Sequence, residues 1–426
     1  MFNKNFIIFP LLSLTLVALL WQALHPAWYS HMSIDTNLFY LRSKEFVAQG
    51  NFSQLEFNEY QPTANLYILS LSPLLNLRDD SLLYRYGFFG LGLIFLVLIG
   101  LIYKKIDKKA NLLAYCLILL ATGPIVLFRF EAFVAWLILL AILFWKQKWY
   151  MASGVVLGVV TMAKVYPVLL VPYFIVLLFR NGRGPTSLRE RILKVIGYLT
   201  FYILGMVGIT FIYLLIVKVD LAHVLAGFDF HTKKTVYIDS VWASIIGIYT
   251  KLTQGRFPGR FNGYGIVGLA HADHPLPLWF FNYFWIVPVT AFYGWLMKRL
   301  NNKYKFDARV VMTIILLFLV TNKGVAPQYL LWFSLLFPLV TIKRSALSKK
   351  NEGRPLFNLW WIDLGLIAYA SLVTQYIFPL HYSEFAGDFY STGKPEYLFW
   401  LYATGHLALV VLLTRQLIIL KNMNTH

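Results

Sequence analysis

The fold turns on one stretch, His25-Pro26-Ala27-Trp28-Tyr29-Ser30-His31-Met32-Ser33-Ile34-Asp35-Thr36-Asn37-Leu38-Phe39-Tyr40, which opens a polar segment reaching Leu77. Arg42, Lys44, Glu45, Glu56, Glu59, Tyr60 and Pro62 follow, interleaved with Phe46, Phe52 and Phe57. An apolar run over 5–24 precedes it. The stretch reads as a polar loop lying on a membrane surface, with one carboxylate, Asp35, close to the end of a span. Thr63 to Leu77 is apolar but too short and too Pro-flanked to cross, so it reads as a helix at the interface.

Working outward, the chain has 426 residues, 59% hydrophobic and 13% charged. That balance belongs to a polytopic membrane protein rather than a soluble core. A span needs about 20 apolar residues. Such segments fall near 5–24, 83–103, 111–127, 132–145, 150–164, 167–179, 195–217, 276–297, 310–321, 327–342, 357–378 and 397–414. The expected fold is therefore an all-α integral membrane bundle of about 12 transmembrane helices. It divides into an N-terminal module (1–217), a long loop (218–275) and a C-terminal module (276–426). No small-x-small cleavage site follows the first run, which is read as an uncleaved span.

Charge sets the expected orientation. With the N-terminus inside, the inner loops hold 24 of the 38 Lys and Arg residues, as the positive-inside rule requires. That distribution accounts for the net charge of +19 without nucleic acid. The carboxylates distribute oppositely: 14 of 19 lie on the outer side. Long, chemically rich loops carry function, so the working face is expected outside the cytoplasm, with both termini inside. The single cysteine, Cys116, excludes an internal disulfide, and no Cys/His metal cluster exists in the sequence.

Three outer segments stand out: 25–82; 218–275, whose Gly255 to Gly268 tail reads as a mobile loop; and 379–396, polar and short. Charged residues recur where spans meet the outer face. Arg129 and Glu131 follow Gly123-Pro124, which should distort the helix there. Lys164 precedes Tyr166-Pro167, where the proline bends the chain. Lys323 sits in Thr321-Asn322-Lys323-Gly324-Val325-Ala326-Pro327-Gln328-Tyr329. A charge at membrane depth costs about 2.5–3.5 kcal/mol, so it has a purpose or a partner. Arg129 and Glu131 could simply pair with each other, and Lys164 could snorkel or bind a lipid phosphate. His231 is a candidate ligand or acid–base group, although a loop histidine is more often merely solvated. Arg129, Lys164, Lys233 or Lys234, and Lys323 together offer cations at one level, facing an acidic loop. That pattern implies a pocket for an anionic group beside a carboxylate base.

On these residues the chain resembles membrane glycosyltransferases of the GT-C superfamily. It is most similar to the polyprenol-phosphate-sugar-dependent mannosyltransferases of glycosyltransferase family 87. The matching pieces are the first-loop acid Asp35; Tyr60-Gln61-Pro62, with Thr63 where the family has a second proline; the Arg129-x-Glu131 turn; and Lys164-x-Tyr166-Pro167. Asp239-Ser240 stands where Glu-Ser is usual. Last comes Lys323 with Pro327, Gln328, Tyr329 and Trp332, Ala326 replacing a serine. The resemblance implies a GT-C-like architecture and an inverting transfer of a hexose, mannose foremost, from a polyprenyl-phosphate donor to an extracytoplasmic lipid or glycan acceptor. Asp35 would be the base. Arg129, Lys164 and Lys323 would meet the phosphate. Tyr60, Glu131, Tyr166, His231, Lys233 or Lys234, Asp239, Gln328 and Tyr329 would complete the substrate site, with no cofactor; the arrangement requires no metal, the alternative being a cation that bridges Asp35 and another acid.

The chemistry agrees. A sugar hydroxyl needs a carboxylate in reach to take its proton, and fixed cations stabilise the charge that grows on a leaving phosphate. The sequence has no Gly-rich phosphate loop after a strand, which fits a lipid-borne rather than nucleotide-borne sugar. Alternatives from other classes are a transporter or flippase, an O-antigen-type polymerase or ligase, and a membrane scaffold. Transporters place ionisable groups near the midplane, whereas here they gather at the outer ends of the spans.

Overall fold

The computed structural model describes residues 5–50, 61–180, 187–263, 266–299, 306–340, 356–392 and 394–423. The protein is mostly helical (81%). Among the described residues, four helical segments are long and apolar enough to cross a membrane: Ser81–Ile106, Leu188–Val217, Leu359–Leu380 and Glu396–Asn422. Shorter apolar helices, such as Leu112–Thr122, Tyr150–Thr161 and Ala308–Thr321, stand among them.

The chain begins with α1 (Asn5–Leu24) and α2 (Pro26–Gln49). Here the expected surface loop is a 24-residue helix. The His25 ring nitrogen caps it by accepting from the Ala27 N–H, Pro26 takes the first turn, and Gly50, at φ 73°, ends it. Its buried stripe runs Met32, Thr36, Phe39, Ser43, at helical spacing. Half of that stripe is polar, which is why apolar periodicity did not reveal it. Two short helices follow, α3 (Pro62–Leu69) and α4 (Ser72–Leu77), where a single interfacial helix was expected.

Next come α5 (Ser81–Ile106), α6 (Leu112–Thr122), a four-residue turn α7 (Ile125–Phe128), α8 (Glu131–Lys146), α9 (Tyr150–Thr161), α10 (Val171–Arg180) and α11 (Leu188–Val217). The α9–α11 contact is set by glycine. A Cβ on Gly158 would lie 2.1 Å from the Tyr202 carbonyl oxygen, and one on Gly205 would lie 2.3 Å from that of Val155. Gly154 and Gly158 form a small-xxx-small pair of the kind that lets membrane helices touch backbone to backbone.

The segment after α11 holds α12 (Leu221–Lys233) and α13 (Val241–Gln254), then strands β1 (Arg260–Gly263) and β2 (Ile266–Leu269). The strands pair antiparallel, with Arg260 opposite Leu269. This hairpin stands where a mobile Gly-rich loop was expected, because β2 also bonds to the 236–238 segment: Leu269 N–H donates to Val236 O at 2.8 Å, and Ile238 N–H to Val267 O at 3.3 Å. The expected span 276–297 is broken into α14 (Leu278–Tyr283) and α15 (Ile286–Arg299). After α16 (Ala308–Thr321), the expected span 327–342 is, over its described part, a chain of short turns around α17 (Leu330–Ser334), interrupted by Pro327 and Pro338. The chain closes with α18 (Leu356–Gln375), wide turns over 376–389, α19 (Tyr390–Thr392) and α20 (Glu396–Met423). Rather than an exposed loop, 383–390 buries Phe385, Phe389 and Tyr390.

Apolar burial organises two main cores. The larger draws on residues from Leu12 to Leu420. The smaller packs Val236, Ile238, Phe257, Leu269 and Phe281 against Ile377, Phe385, Phe389, Phe399 and Tyr402. Tyr382 packs against both, and the seam between them holds the site.

Candidate functional site

Asp35 projects from α2 and meets Arg129, whose guanidinium lies 2.6 Å from the carboxylate. Arg129 is presented by the break between α7 and α8: Gly123, at φ 63°, and Pro124 end α6, and Arg129 itself is extended. The arginine is buried, while Asp35 keeps 27% of its side chain exposed. That contact is a close ion pair in which the Arg129 Nη1–H is not aligned for a hydrogen bond.

Glu131 opens α8, where the positive end of the helix dipole favours a carboxylate. Its side chain is 1% exposed, and the Lys164 ammonium lies 3.4 Å from Oε1. Arg129 and Glu131, two residues apart, therefore do not pair with each other. Each is crossed to a partner on another element. Lys164 is held where α9 stops, with its N–H on the Val160 carbonyl. Its ammonium stands over the Phe130 ring at 4.7 Å and the Tyr329 ring at 5.2 Å. Tyr166, Trp332 and Tyr329 stack face to face beside it, at 3.8 Å and 3.9 Å between ring centres. The stack joins the Lys164-Val165-Tyr166-Pro167 turn to the Pro327–Tyr329 turn.

Lys323, which also faces the site, is tied to neighbouring backbone. Its ammonium donates to the carbonyl oxygens of Lys234 and Thr232, and its own carbonyl accepts from the Tyr237 N–H at 3.0 Å. It clamps the 232–237 segment to the turn after α16. Burial, and then the neighbouring Lys234 charge, pull its pKa down to about 8. Beyond Lys234 the chain reaches Asp239, just before α13, which Ser240 caps. The Tyr402 hydroxyl donates to Asp239 Oδ1 at 3.1 Å, and burial pushes the carboxyl up to about 7.

These groups line one cavity of about 870 Å³. Asp35, Arg129, Lys164, Tyr166, Lys234, Asp239, Lys323, Gln328 and Tyr329 all face it, with Glu131 directly beneath Lys164. Lys233 is exposed and does not line it. Tyr60 and the His231 side chain lie outside the described residues. Among the described residues, five basic side chains, Arg260 among them, stand with two carboxyl groups on the wall, a balance suited to an anionic ligand. Trp285, Ile286 and Phe318 supply an apolar side. Among the described residues, Glu131 Oε1 and Oε2, both amide atoms of Gln61, the Tyr166 hydroxyl and Trp332 Nε1 have no hydrogen-bond partner. Among the described residues, no group of three or more His, Cys, Asp or Glu could hold a metal ion.

Gln61, Tyr382, Arg260 and Asn262 also line the cavity and were not anticipated as site residues. Gln61 sat inside a motif whose tyrosine drew attention instead. The others come from the hairpin and the 376–389 turns, whose place in the fold no local pattern shows. The chain matches no protein-family model and no curated protein.

Proposed function

We propose that the chain is an integral membrane glycosyltransferase that moves a hexose, mannose foremost, from a polyprenyl-phosphate donor to an extracytoplasmic acceptor. The observation that carries this reading is the convergence of Asp35 with Arg129, Lys164 and Lys234 on one cavity. In the reaction, an acceptor hydroxyl oxygen attacks the anomeric carbon and the bond from that carbon to the phosphate oxygen breaks. The hydroxyl proton passes to Asp35, and polyprenyl phosphate leaves with the bonding electrons. Inversion follows from attack opposite the leaving group. Arg129 and Lys164 stabilise the phosphate charge as it grows. Arg129 also has a role before chemistry. While it rests on Asp35 it occupies that carboxylate and withholds it from an acceptor hydroxyl. A donor phosphate that draws the guanidinium away restores the base at the moment it is needed.

Purified protein given synthetic polyprenyl-phosphate mannose and a panel of mannoside acceptors tests the reading. Wild-type transfer is expected, with Asp35→Asn and Asp35→Ala slower by about 10²–10⁴-fold, the usual worth of a positioned base. Normal turnover in either variant removes Asp35 from that role. Solute uptake by proteoliposomes, undiminished in Asp35→Asn and without sugar transfer, replaces the enzyme reading with a transporter.

A further inference from the structure

The positive charge of the cavity is unevenly balanced. Around Asp35 the charges cancel: Arg129 lies 2.6 Å from Asp35, and Lys164 lies 3.4 Å from Glu131. The surplus stands on other elements. Lys323 and Arg260 line the same cavity, and among the described residues neither forms an ion pair. Lys323 donates to the Lys234 and Thr232 carbonyls, and the Arg260 Nη1–H donates to Ala386 O at 2.8 Å. Lys234 also lines the cavity, and its charge acts on the Lys323 ammonium. Asp239, the carboxyl of this stretch, is pushed up by burial to about 7. It is therefore only part-ionised at neutral pH and offsets little of that charge. Main-chain pairing gathers the three cations. Arg260 on β1 faces Leu269 on β2, whose N–H donates to Val236 O at 2.8 Å and whose carbonyl accepts from the Thr235 hydroxyl at 2.8 Å. The Tyr237 N–H then donates to Lys323 O at 3.0 Å. Donors remain for a ligand: an ammonium has three N–H groups and a guanidinium five, of which Lys323 gives two to carbonyls and Arg260 one. Cations held side by side repel one another, and an anion among them removes that cost. A cavity of about 870 Å³ is near the top of the roughly 300–1,000 Å³ usual for ligand pockets, which leaves room for more than one charged group.

We propose that Lys234, Arg260 and Lys323 form a second anion site, carried on different elements from Arg129 and Lys164, that takes a further phosphate-like group. That group is the second phosphate of a diphosphate-linked lipid or an anionic substituent on the acceptor. The source of the group rests on the glycosyltransferase reading; the site itself does not. Calorimetry on the full-length protein in detergent tests it with two matched pairs of probes. One pair is a short-chain polyprenyl diphosphate against the monophosphate of the same chain. The other is mannose 6-phosphate against mannose. In at least one pair the probe with the extra phosphate should bind tighter by about ten-fold or more, the worth of one charge-assisted hydrogen bond. Preference for the diphosphate assigns the group to the lipid, and preference for mannose 6-phosphate assigns it to the acceptor. Arg260→Gln and Lys234→Gln should each reduce that preference by most of its size and leave polyprenyl monophosphate within about two-fold. Arg260→Lys should retain it in larger part. Lys164→Met should weaken the monophosphate and leave the preference standing. Arg260 is exposed on the hairpin, so its variants decide the matter even if Lys234→Gln, at a buried position, unfolds the protein. Absence of a preference in both pairs overturns the site, as does a preference that survives Arg260→Gln intact, or an equal loss of every probe. The expected preference in a protein that transfers no sugar keeps the anion site and discards the transferase, whereas sugar transfer without the preference discards the anion site alone.

Discussion

At the scale of single residues, the crossed pairs Asp35–Arg129 and Glu131–Lys164 are the consequential finding. Removing one partner of a buried pair strands the other charge, at a cost of about 3–5 kcal/mol. Lys164→Met should therefore destabilise the protein by an amount of that order, and Lys164→Met with Glu131→Gln should recover most of it. Denaturant unfolding in detergent measures both, and equal stability of the single and double variants would show that the pair carries no such energy. Asp239 gives a pH signature. Its folded-state pKa of about 7 lies above the ordinary 3.8, so between those values the native protein holds a proton that the unfolded chain has lost. Stability from this group is full below about pH 4, is lost as pH rises through about 7, and stays low above. Asp239→Asn keeps a carbonyl for the Tyr402 hydroxyl and removes the titration. Its melting temperature should fall less than that of wild type between pH 5 and 8; identical slopes would contradict the assignment. The charged residues themselves were legible in the sequence because ionised groups near spans are costly. Their pairing was not: adjacency along the chain favoured Arg129 with Glu131, and only the extended backbone at Arg129 sends the two side chains to different elements.

At the scale of elements, the α9–α11 crossing is a backbone contact with no room for a side chain. Gly158→Leu must push the Tyr202 carbonyl away and separate the two helices, which also carry the Thr161–Tyr202 hydrogen bond at 3.2 Å. Loss of detergent-stable monodisperse protein by size-exclusion chromatography is expected for Gly158→Leu. At Gly208, where a Cβ would meet nothing within 4 Å, Gly208→Leu should behave as wild type. Equal behaviour of the two variants would show that the close approach does not govern assembly. Long apolar helices such as α5, α11 and α20 were legible from hydropathy alone. The helix α2 was not, since Ser33, Thr36, Arg42 and Ser43 sit on its buried side and mask its period. The breaks at Phe284-Trp285 and around Pro338 divide runs that composition reads as continuous. The hairpin depends on pairing with residues 236–238, which a scan along the chain cannot see.

At the scale of the whole molecule, the two cores meet at a seam fastened by the Lys323 ammonium and by the Trp242 indole N–H on the Thr321 carbonyl at 2.9 Å. The proposed function needs that seam to open away from the cytoplasm. Cys116 is buried, so Cys116→Ala makes a clean background for testing orientation. In that background Asn262→Cys should react with a membrane-impermeant maleimide in intact cells, and Lys108→Cys only after the membrane is breached. The reverse pattern would turn the protein over and remove the extracytoplasmic reaction. The column of three rings, Tyr166, Trp332 and Tyr329, has a practical consequence. An indole held face to face between two phenols gives asymmetric near-ultraviolet absorption that depends on ring spacing, so a guest settling beside Lys164 alters circular dichroism there. Occupancy is then readable in native protein, free of dyes or isotopes, before any substrate has been identified.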